Sequence, residues 1–251
     1  MLRPIPELHV LRLHAAAFTL LLVTGIVGAC SPDTPPVQPA KSAGIGEGSG
    51  PAQGEHSPAP GPTNSSQGPT VAFLGDSIAA GLHLPSDEAF PAVLQRLLTE
   101  QGHPFRLVNG GVSGDTTAGG LRRIDWLLSQ DPAVIVCEEG GNDGLRGIEP
   151  ATIEANLRGI VEKAHAAGAR VLLLGHVMPP NYGEDYTREF AAVFDRVADD
   201  LDVEYVPFFL EGVGGVPEFN FDDGLHPTAE GHRRIAVKVA PALRKLLVAV
   251  Q

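Results

Sequence analysis

Five short runs of apolar residues recur along the chain after about residue 70, each separated from the next by a longer amphipathic stretch. The runs lie at 71–74, 105–108, 133–137, 171–174 and 203–206. Short apolar runs that are bounded by turn residues are typical of strands buried on both faces of a sheet. The pattern therefore predicts five β-strands.

The stretches between and after these runs carry apolar side chains at the spacing of a helix with one buried face. We expect helices at about 87–100, 117–129, 185–200 and 228–248, and a further helix from Pro150 to a cap at Gly168. Strands that alternate with helices form parallel βαβ units, so the pattern predicts a doubly wound α/β sheet. The loops that follow parallel strands gather at one edge of such a sheet, where ligands bind.

The first 69 residues differ from the rest. Two arginines precede an apolar run at 15–28, which is short for a membrane span and has the length of a signal-peptide core. The run ends in Val27-Gly28-Ala29-Cys30, which resembles a bacterial lipobox, where the cysteine receives lipid. We expect a lipoprotein signal peptide at 1–29. The alternative is a plain signal peptide followed by an incidental cysteine.

Residues 31–69 consist largely of Pro, Gly, Ser and Ala, which cannot bury enough apolar surface to offset chain entropy. We expect 30–69, the lipidated Cys30 with a disordered tether, to hold a folded domain at 70–251 away from a bilayer. The expected protein is exported and membrane-anchored, and it faces the periplasm or the cell exterior. We expect the domain to be a monomer.

The formal net charge of −12 argues against nucleic acid as a partner, because phosphates require basic patches. Of the two cysteines, Cys137 falls in an apolar strand and is expected to be a buried small side chain. Cysteine and histidine spacings typical of zinc sites do not occur, and we expect no metal or cofactor in the reaction.

Polar motifs follow four of the five predicted strands, at Gly75-Asp76-Ser77, at 109–116, at 140–143 and at 223–227. Each motif alone has an ordinary structural explanation, such as a helix N-cap for Ser77 or a tight turn for a glycine-rich loop. Together they would place a serine, an asparagine, an aspartate and a histidine at one edge of a sheet. His83 and His176 also lie close to strand-end loops and could shape a pocket there.

A serine acts as a nucleophile only with a base, an acid that orients the base, and donors for the oxyanion. One ring nitrogen of His226 could face Ser77 while Asp223 holds the other, with Asp222 as a rival for the acid. Asn142 could donate its side-chain N–H to the oxyanion, an interaction worth about 3 kcal/mol in a transition state. The pattern predicts a serine hydrolase that acts on esters.

These residues resemble the four blocks of the SGNH (GDSL) hydrolase family, and in particular its bacterial acyl-CoA thioesterase/lysophospholipase/arylesterase branch. The resemblance covers 70 to about 247 and rests on segments 75–78, 113–116, 140–147, 180–183, 207–209 and 223–227. Ile78 stands where the motif has leucine. The resemblance implies a flavodoxin-like three-layer sandwich around a five-stranded parallel sheet.

The resemblance also implies the role of each site residue. Ser77 is the nucleophile, His226 the base and Asp223 its orienting acid. The oxyanion donors are the backbone N–H groups of Ser77 and Gly114 and the side chain of Asn142. These residues would carry out two-step acyl transfer through an acyl-enzyme, without metal or cofactor.

The loops after the third and fourth strands carry the candidate substrate-pocket residues Leu145, Ile148, Pro180 and Tyr182. The expected substrates are aryl or acyl esters, with lysophospholipids and thioesters as further members of the class. One alternative is a carbohydrate O-acetyl esterase of the same family, to which the single tryptophan lends little support. The other is a non-catalytic lipoprotein that binds ligands, against which stands the complete set of catalytic residue types.

Overall fold

The computed structural model describes residues 68–250, so the predicted signal peptide, Cys30 and most of the tether lie outside the described residues. The strands form one parallel sheet in the order β2-β1-β3-β4-β5, the order of flavodoxin-like folds. The prediction of a five-stranded parallel sheet is confirmed. The strands are β1 Thr70–Gly75, β2 Arg106–Gly111, β3 Val134–Glu138, β4 Arg170–Leu174 and β5 Glu204–Val206.

The helices of the described part are α1 Ser77–Ala80, α2 Phe90–Glu100, α3 Thr117–Leu128, α4 Gly141–Leu145, α5 Pro150–Ala166, α6 Glu184–Leu201 and α7 Ala229–Ala249. α2 begins three residues later than the pattern predicts, with a proline in its first turn, a position where proline loses no intrahelical hydrogen bond. Between residues 68 and 250 no helix has both the length and the apolar character required to cross a bilayer.

The sheet separates two apolar cores because successive strand residues point to opposite faces. Val71 and Phe73 of β1 face the core that α2 and α7 cover. Ala72 and Leu74 face the core that α3, α5 and α6 cover. This sandwich of three layers holds the carboxyl ends of the strands in fixed positions.

β2 continues through Gly111, beyond the end predicted at Val108. Gly110 and Gly111, which the sequence assigned to a loop after the second strand, are therefore part of the strand itself. A side chain on Gly111 would collide with the backbone nitrogen of Ala80, so glycine is required for β2 to pass this close to α1. The loop that remains for chemistry is shortened to residues 112–116.

Candidate active site

The turn between β1 and α1 presents the serine. Asp76 is the N-cap of α1, and its Oδ1 accepts a hydrogen bond from the backbone N–H of Ile78 at 2.9 Å. Ser77 is thus the first residue of α1 rather than its cap, and its hydroxyl is free to bond elsewhere. The side chain sits at the carboxyl edge of the sheet and is 8% exposed.

Three side chains are hydrogen-bonded in series at this edge. Ser77 Oγ lies 2.9 Å from His226 Nε2, and His226 Nδ1 lies 2.6 Å from Asp223 Oδ2. Asp223 Oδ1 also accepts the backbone N–H groups of His226 and Leu225. The hydrogen bonds from the His226 backbone and ring, followed by that from Leu225, lower the pKa of Asp223. The acid in contact with the histidine is Asp223, not Asp222.

The first turn of α1 leaves one N–H group for a bound oxyanion. The backbone N–H groups on either side of Ser77 already have carboxyl acceptors among the described residues. Those of Asp76 and Ala79 donate to Glu138 Oε2, and that of Ile78 donates to Asp76. The N–H of Ser77 remains at the end of a helix, where such groups lack an intrahelical partner. It lies beside the serine hydroxyl, as an oxyanion donor must.

Asn142, at the start of α4, is the second candidate donor. Its Nδ2 donates to Asp76 Oδ2 at 2.9 Å, so one amide hydrogen is held while the other is available to a ligand. Burial raises the pKa of Asp76, which sequence reasoning left without a chemical role. The third candidate, Gly114, is exposed, has a φ of 79° and is not among the residues that line the cavity beside Ser77.

Glu138 supports the turn that carries Ser77 from within the sheet. Both it and the neighbouring His176 are buried, and Glu138 Oε1 and His176 Nε2 lie 3.8 Å apart. Neither atom has a hydrogen-bond partner among the described residues. Burial, then the nearby Asp76, raises the pKa of Glu138, and burial lowers that of His176 to about 4. The raised pKa of Glu138 and the lowered pKa of His176 both disfavour a charge at this contact.

Arg123, on α3, ties together three strand ends and the 112–116 loop. It donates to the Asp115 carboxylate at 2.5 Å, to buried Glu139 at 2.7 Å, to the Gly75 carbonyl at 2.8 Å and to the Gly110 carbonyl. Sequence reasoning missed this arginine and both glutamates. The signal was present, since two consecutive glutamates that end an apolar strand are rarely buried without a purpose.

A cavity of about 490 Å³ opens beside Ser77 and His226. Its walls are mostly apolar, a character that suits a ligand fixed by a few polar groups. His176 also lines it, whereas His83 does not. The apolar side chains of the lining are Ile78, Leu145, Val177, Met178, Pro179, Pro180, Phe208, Leu210 and Leu225.

Two of the four pocket residues expected from the sequence line this cavity, Leu145 and Pro180, and two do not. Ile148 instead packs against the core under α5 and α6. The hydroxyl of Tyr182 donates to the carbonyl of Leu145 at 3.3 Å, so Tyr182 contacts the backbone of a wall residue without lining the cavity itself. Their positions in the sequence were correct for the loops, but the direction of each side chain depends on packing that the sequence does not reveal.

An open parallel sheet with a linked serine, histidine and aspartate at its carboxyl edge is typical of hydrolases that act through serine. The model of the GDSL-like Lipase/Acylhydrolase family matches residues 73–234. The chain belongs to this family, and it is an ester hydrolase.

Similar proteins carry names consistent with that class. The chain is 46% identical over 186 residues to esterase TesA of Pseudomonas aeruginosa, a match that spans 74% of this chain and 92% of that protein. It is 38% identical over 179 residues to thioesterase 1/protease 1/lysophospholipase L1 of Escherichia coli K12, spanning 71% and 85%. The crystal structure of AlinE4, an SGNH-hydrolase family esterase, superposes with a TM-score of 0.60 at 40% identity, over 71% of this chain and 96% of that one.

Proposed function

We propose that the protein is a serine esterase that hydrolyses carboxylic esters with apolar acyl or aryl groups through an acyl-enzyme on Ser77. The observation that supports this most directly is the series of hydrogen bonds from Asp223 through His226 to Ser77 beside an apolar cavity. Each of these residue types has the role that acyl transfer requires at its position.

In the proposed reaction, His226 Nε2 takes the hydroxyl proton as Ser77 Oγ attacks the ester carbonyl carbon. The oxyanion that forms is bound by the N–H of Ser77 and by the side chain of Asn142, with the backbone N–H of Gly114 as the third donor. The alcohol leaves with the proton from His226. Water then attacks the acyl-enzyme with His226 again as base, which releases the acid and the free serine.

The walls of the cavity favour apolar substrates. Leu145, Val177 and Leu225 line it and are still 38%, 45% and 50% exposed, so an acyl chain or an aryl ring that covers them removes apolar surface from water. Aryl esters, fatty acyl esters, lysophospholipids and thioesters all present such a group beside the reacting carbonyl. An acetyl group on a carbohydrate would leave most of this surface uncovered.

The test is hydrolysis of p-nitrophenyl esters from acetate to palmitate by the purified protein and two variants. We expect Ser77→Ala to lower kcat by at least about a thousandfold, because the acyl-enzyme cannot form. Ser113→Ala, which removes a nearby exposed serine, is the matched control and should retain activity. A fluorophosphonate should label Ser77. An inactive, unlabelled wild-type protein would instead favour a ligand-binding role.

The chain-length profile of the same assay tests the cavity. Leu145→Ala removes part of the wall and enlarges the cavity, so we expect the ratio of long-chain to acetate turnover to change about fourfold to fifteenfold, the worth of one or two buried methylene groups. Tyr182→Ala, which alters a residue outside the cavity lining, is the control and should change this ratio less. An unchanged ratio in Leu145→Ala would show that the acyl group binds elsewhere.

We also propose that the mature protein is a lipoprotein anchored through Cys30 and exported from the cytoplasm. The proposal rests on the apolar run and lipobox-like residues of the sequence. Metabolic labelling with an alkyne fatty acid should mark the wild-type protein in the membrane fraction and leave Cys30→Ser unlabelled. Label retained by Cys30→Ser, or wild-type protein without label, would refute the anchor.

A further inference from the structure

A third titratable side chain reaches the outer side of the hydrogen-bonded series. His83 lies in the turn after α1, 140 residues before Asp223, and its ring centroid is 5.7 Å from that of His226, with the two rings perpendicular. The ring also meets Phe221 edge to face, at 5.5 Å between centroids. The position of the His83 imidazole is therefore defined by two aromatic contacts rather than by the cavity wall.

His83, His226 and Asp223 each offer one ligand atom, and the three atoms lie within 4.8 Å of one another. Two imidazole nitrogens with one carboxylate oxygen form a ligand set that suits Zn²⁺ and related transition metals. A tetrahedral zinc ion with bonds of about 2.0–2.2 Å separates its ligand atoms by roughly 3.3–3.6 Å. For coordination through His226 Nδ1, side-chain rotations must bring His83 closer and open the 2.6 Å contact between Nδ1 and Asp223 Oδ2 to reach that spacing.

The cluster is accessible from solvent. His83 and Asp223 are exposed, and His226 is partly exposed, so a hydrated ion can reach them and keep water at its fourth position. Net negative charge on the chain raises the local concentration of cations. Mg²⁺ and Ca²⁺ prefer oxygen ligands in larger number, which this cluster does not supply.

His83 also occupies an uncommon backbone conformation. Its φ is 72°, in the left-handed region that glycine adopts without strain and that most other residues avoid. A substitution by glycine at this position removes the ring and relieves the backbone, so it does not threaten the fold. This property makes the site unusually easy to test.

We propose that His83, His226 and Asp223 form a binding site for a divalent transition metal, with Zn²⁺ as the expected occupant, and that the bound metal reversibly inhibits the enzyme. Coordination through His226 Nδ1 would displace its proton to solvent and break the bond to Asp223. Coordination through Nε2 would take the lone pair that accepts the proton of Ser77. Metal coordination at either nitrogen therefore removes one of the two hydrogen-bond partners of His226, Asp223 or Ser77. Metal binding itself is independent of the proposed function, whereas inhibition rests on it.

The first experiment titrates the chelator-treated full-length protein with ZnCl₂ while p-nitrophenyl butyrate hydrolysis is followed. We expect His83→Gly and His83→Asn to hydrolyse the ester at the wild-type rate without metal, because His83 lies outside the cavity lining. The zinc concentration for half-inhibition should rise at least about tenfold in both, since even residues behind metal ligands are typically worth that much in affinity. His165→Asn, which alters an exposed histidine on α5, should behave as wild type. A chelator should restore activity, and Mg²⁺ should have no effect.

The second experiment measures zinc binding by calorimetry in Ser77→Ala, where turnover plays no part. One equivalent should bind, and binding should weaken by the same factor in Ser77→Ala/His83→Gly. Equal zinc inhibition of wild type and His83→Gly, or no zinc binding by Ser77→Ala, overturns the proposal. If instead hydrolysis proves independent of Ser77 while zinc still binds through His83, the proposed function fails and the metal site stands.

Discussion

The two sides of Ser77 carry carboxylic acids in opposite environments. On the outer side, Asp223 is exposed and accepts three hydrogen bonds, which lower its pKa. On the inner side, Glu138 is buried, and burial raises its pKa although two backbone N–H groups donate to it. The outer carboxyl group is therefore a charged carboxylate, and the inner one favours the neutral acid.

The difference in charge suits two different roles. In the proposed reaction Asp223 assists proton transfer, whereas Glu138 supports the turn that carries Ser77. His226 is the base in that proposed reaction and becomes cationic, so it benefits from a fixed negative charge beside it. A buried group that only holds a backbone turn is better neutral, because an isolated charge there has a large desolvation cost. A substitution that exchanges a charged acid for a neutral isostere should thus be severe at Asp223 and mild at Glu138.

The largest effect is expected at Asp223. Asp223→Asn keeps the shape of the side chain but removes the charge and changes which His226 tautomer is favoured, so kcat should fall by about a thousandfold to ten-thousandfold. Asp222→Asn alters the neighbouring acid, which does not contact the ring, and should stay near the wild-type rate. The measurement is kcat for p-nitrophenyl butyrate, with thermal unfolding to verify the fold. A loss of less than tenfold in Asp223→Asn would contradict a functional series.

A smaller effect is expected at Glu138, where the outcome depends on what replaces the acid. Glu138→Gln supplies a neutral oxygen to the N–H groups of Asp76 and Ala79 and an amide that can donate to His176, so kcat should remain within about threefold. Glu138→Ala leaves both N–H groups without that acceptor and should lower the free energy of unfolding by roughly 2–5 kcal/mol. Urea unfolding and kcat of the pair provide the measurement. A severe loss in Glu138→Gln would mean that the charged form is required and would remove the contrast with Asp223.

Part of the candidate site and most of the fold could be predicted from the sequence. Ser77 and Asn142 sit next to turn residues directly after apolar runs, and parallel strands bring such positions to one edge of the sheet. The strands and helices themselves could be predicted from the periodicity of the apolar residues. Asp223 and His226 follow the end of β5 by 17 and 20 residues, so their place at this edge was predicted from their residue types and from the family resemblance rather than from sheet topology.

What the sequence could not show depends on distant packing. Arg123 has the pattern of an ordinary polar residue of a helix, yet it bonds to residues at the ends of three strands, from 13 to 48 residues away in the chain. His83 meets Asp223 and His226 across 140 residues or more, so no spacing motif contains it. Ile148 was expected in the pocket and turns to the core, because its direction is decided by the helices that pack around it.

The smallest effect concerns a buried imidazole on α7. His232 Nδ1 accepts the backbone N–H of Phe90 at 3.0 Å, and burial lowers the pKa of His232 to about 4, from 6.5 in an unfolded chain. Between those pH values the unfolded chain binds a proton that the folded protein does not. The free energy of unfolding therefore decreases as pH falls below 6.5, and this contribution levels off near pH 4. From pH 7.5 to 5.5 the loss from His232 should be roughly 1 kcal/mol.

Urea unfolding of wild type and His232→Asn at both pH values isolates this contribution. The asparagine amide oxygen can accept the same N–H without binding a proton, so the variant should lose roughly 1 kcal/mol less than wild type between pH 7.5 and 5.5. Buried His176, whose pKa is also lowered, makes the same contribution to the loss of stability in both proteins. His165→Asn, an exposed position, should show the wild-type loss. An equal loss in wild type and His232→Asn would mean that protonation of the buried imidazole has no free-energy cost. That result would contradict the argument that burial disfavours the charged form of a side chain.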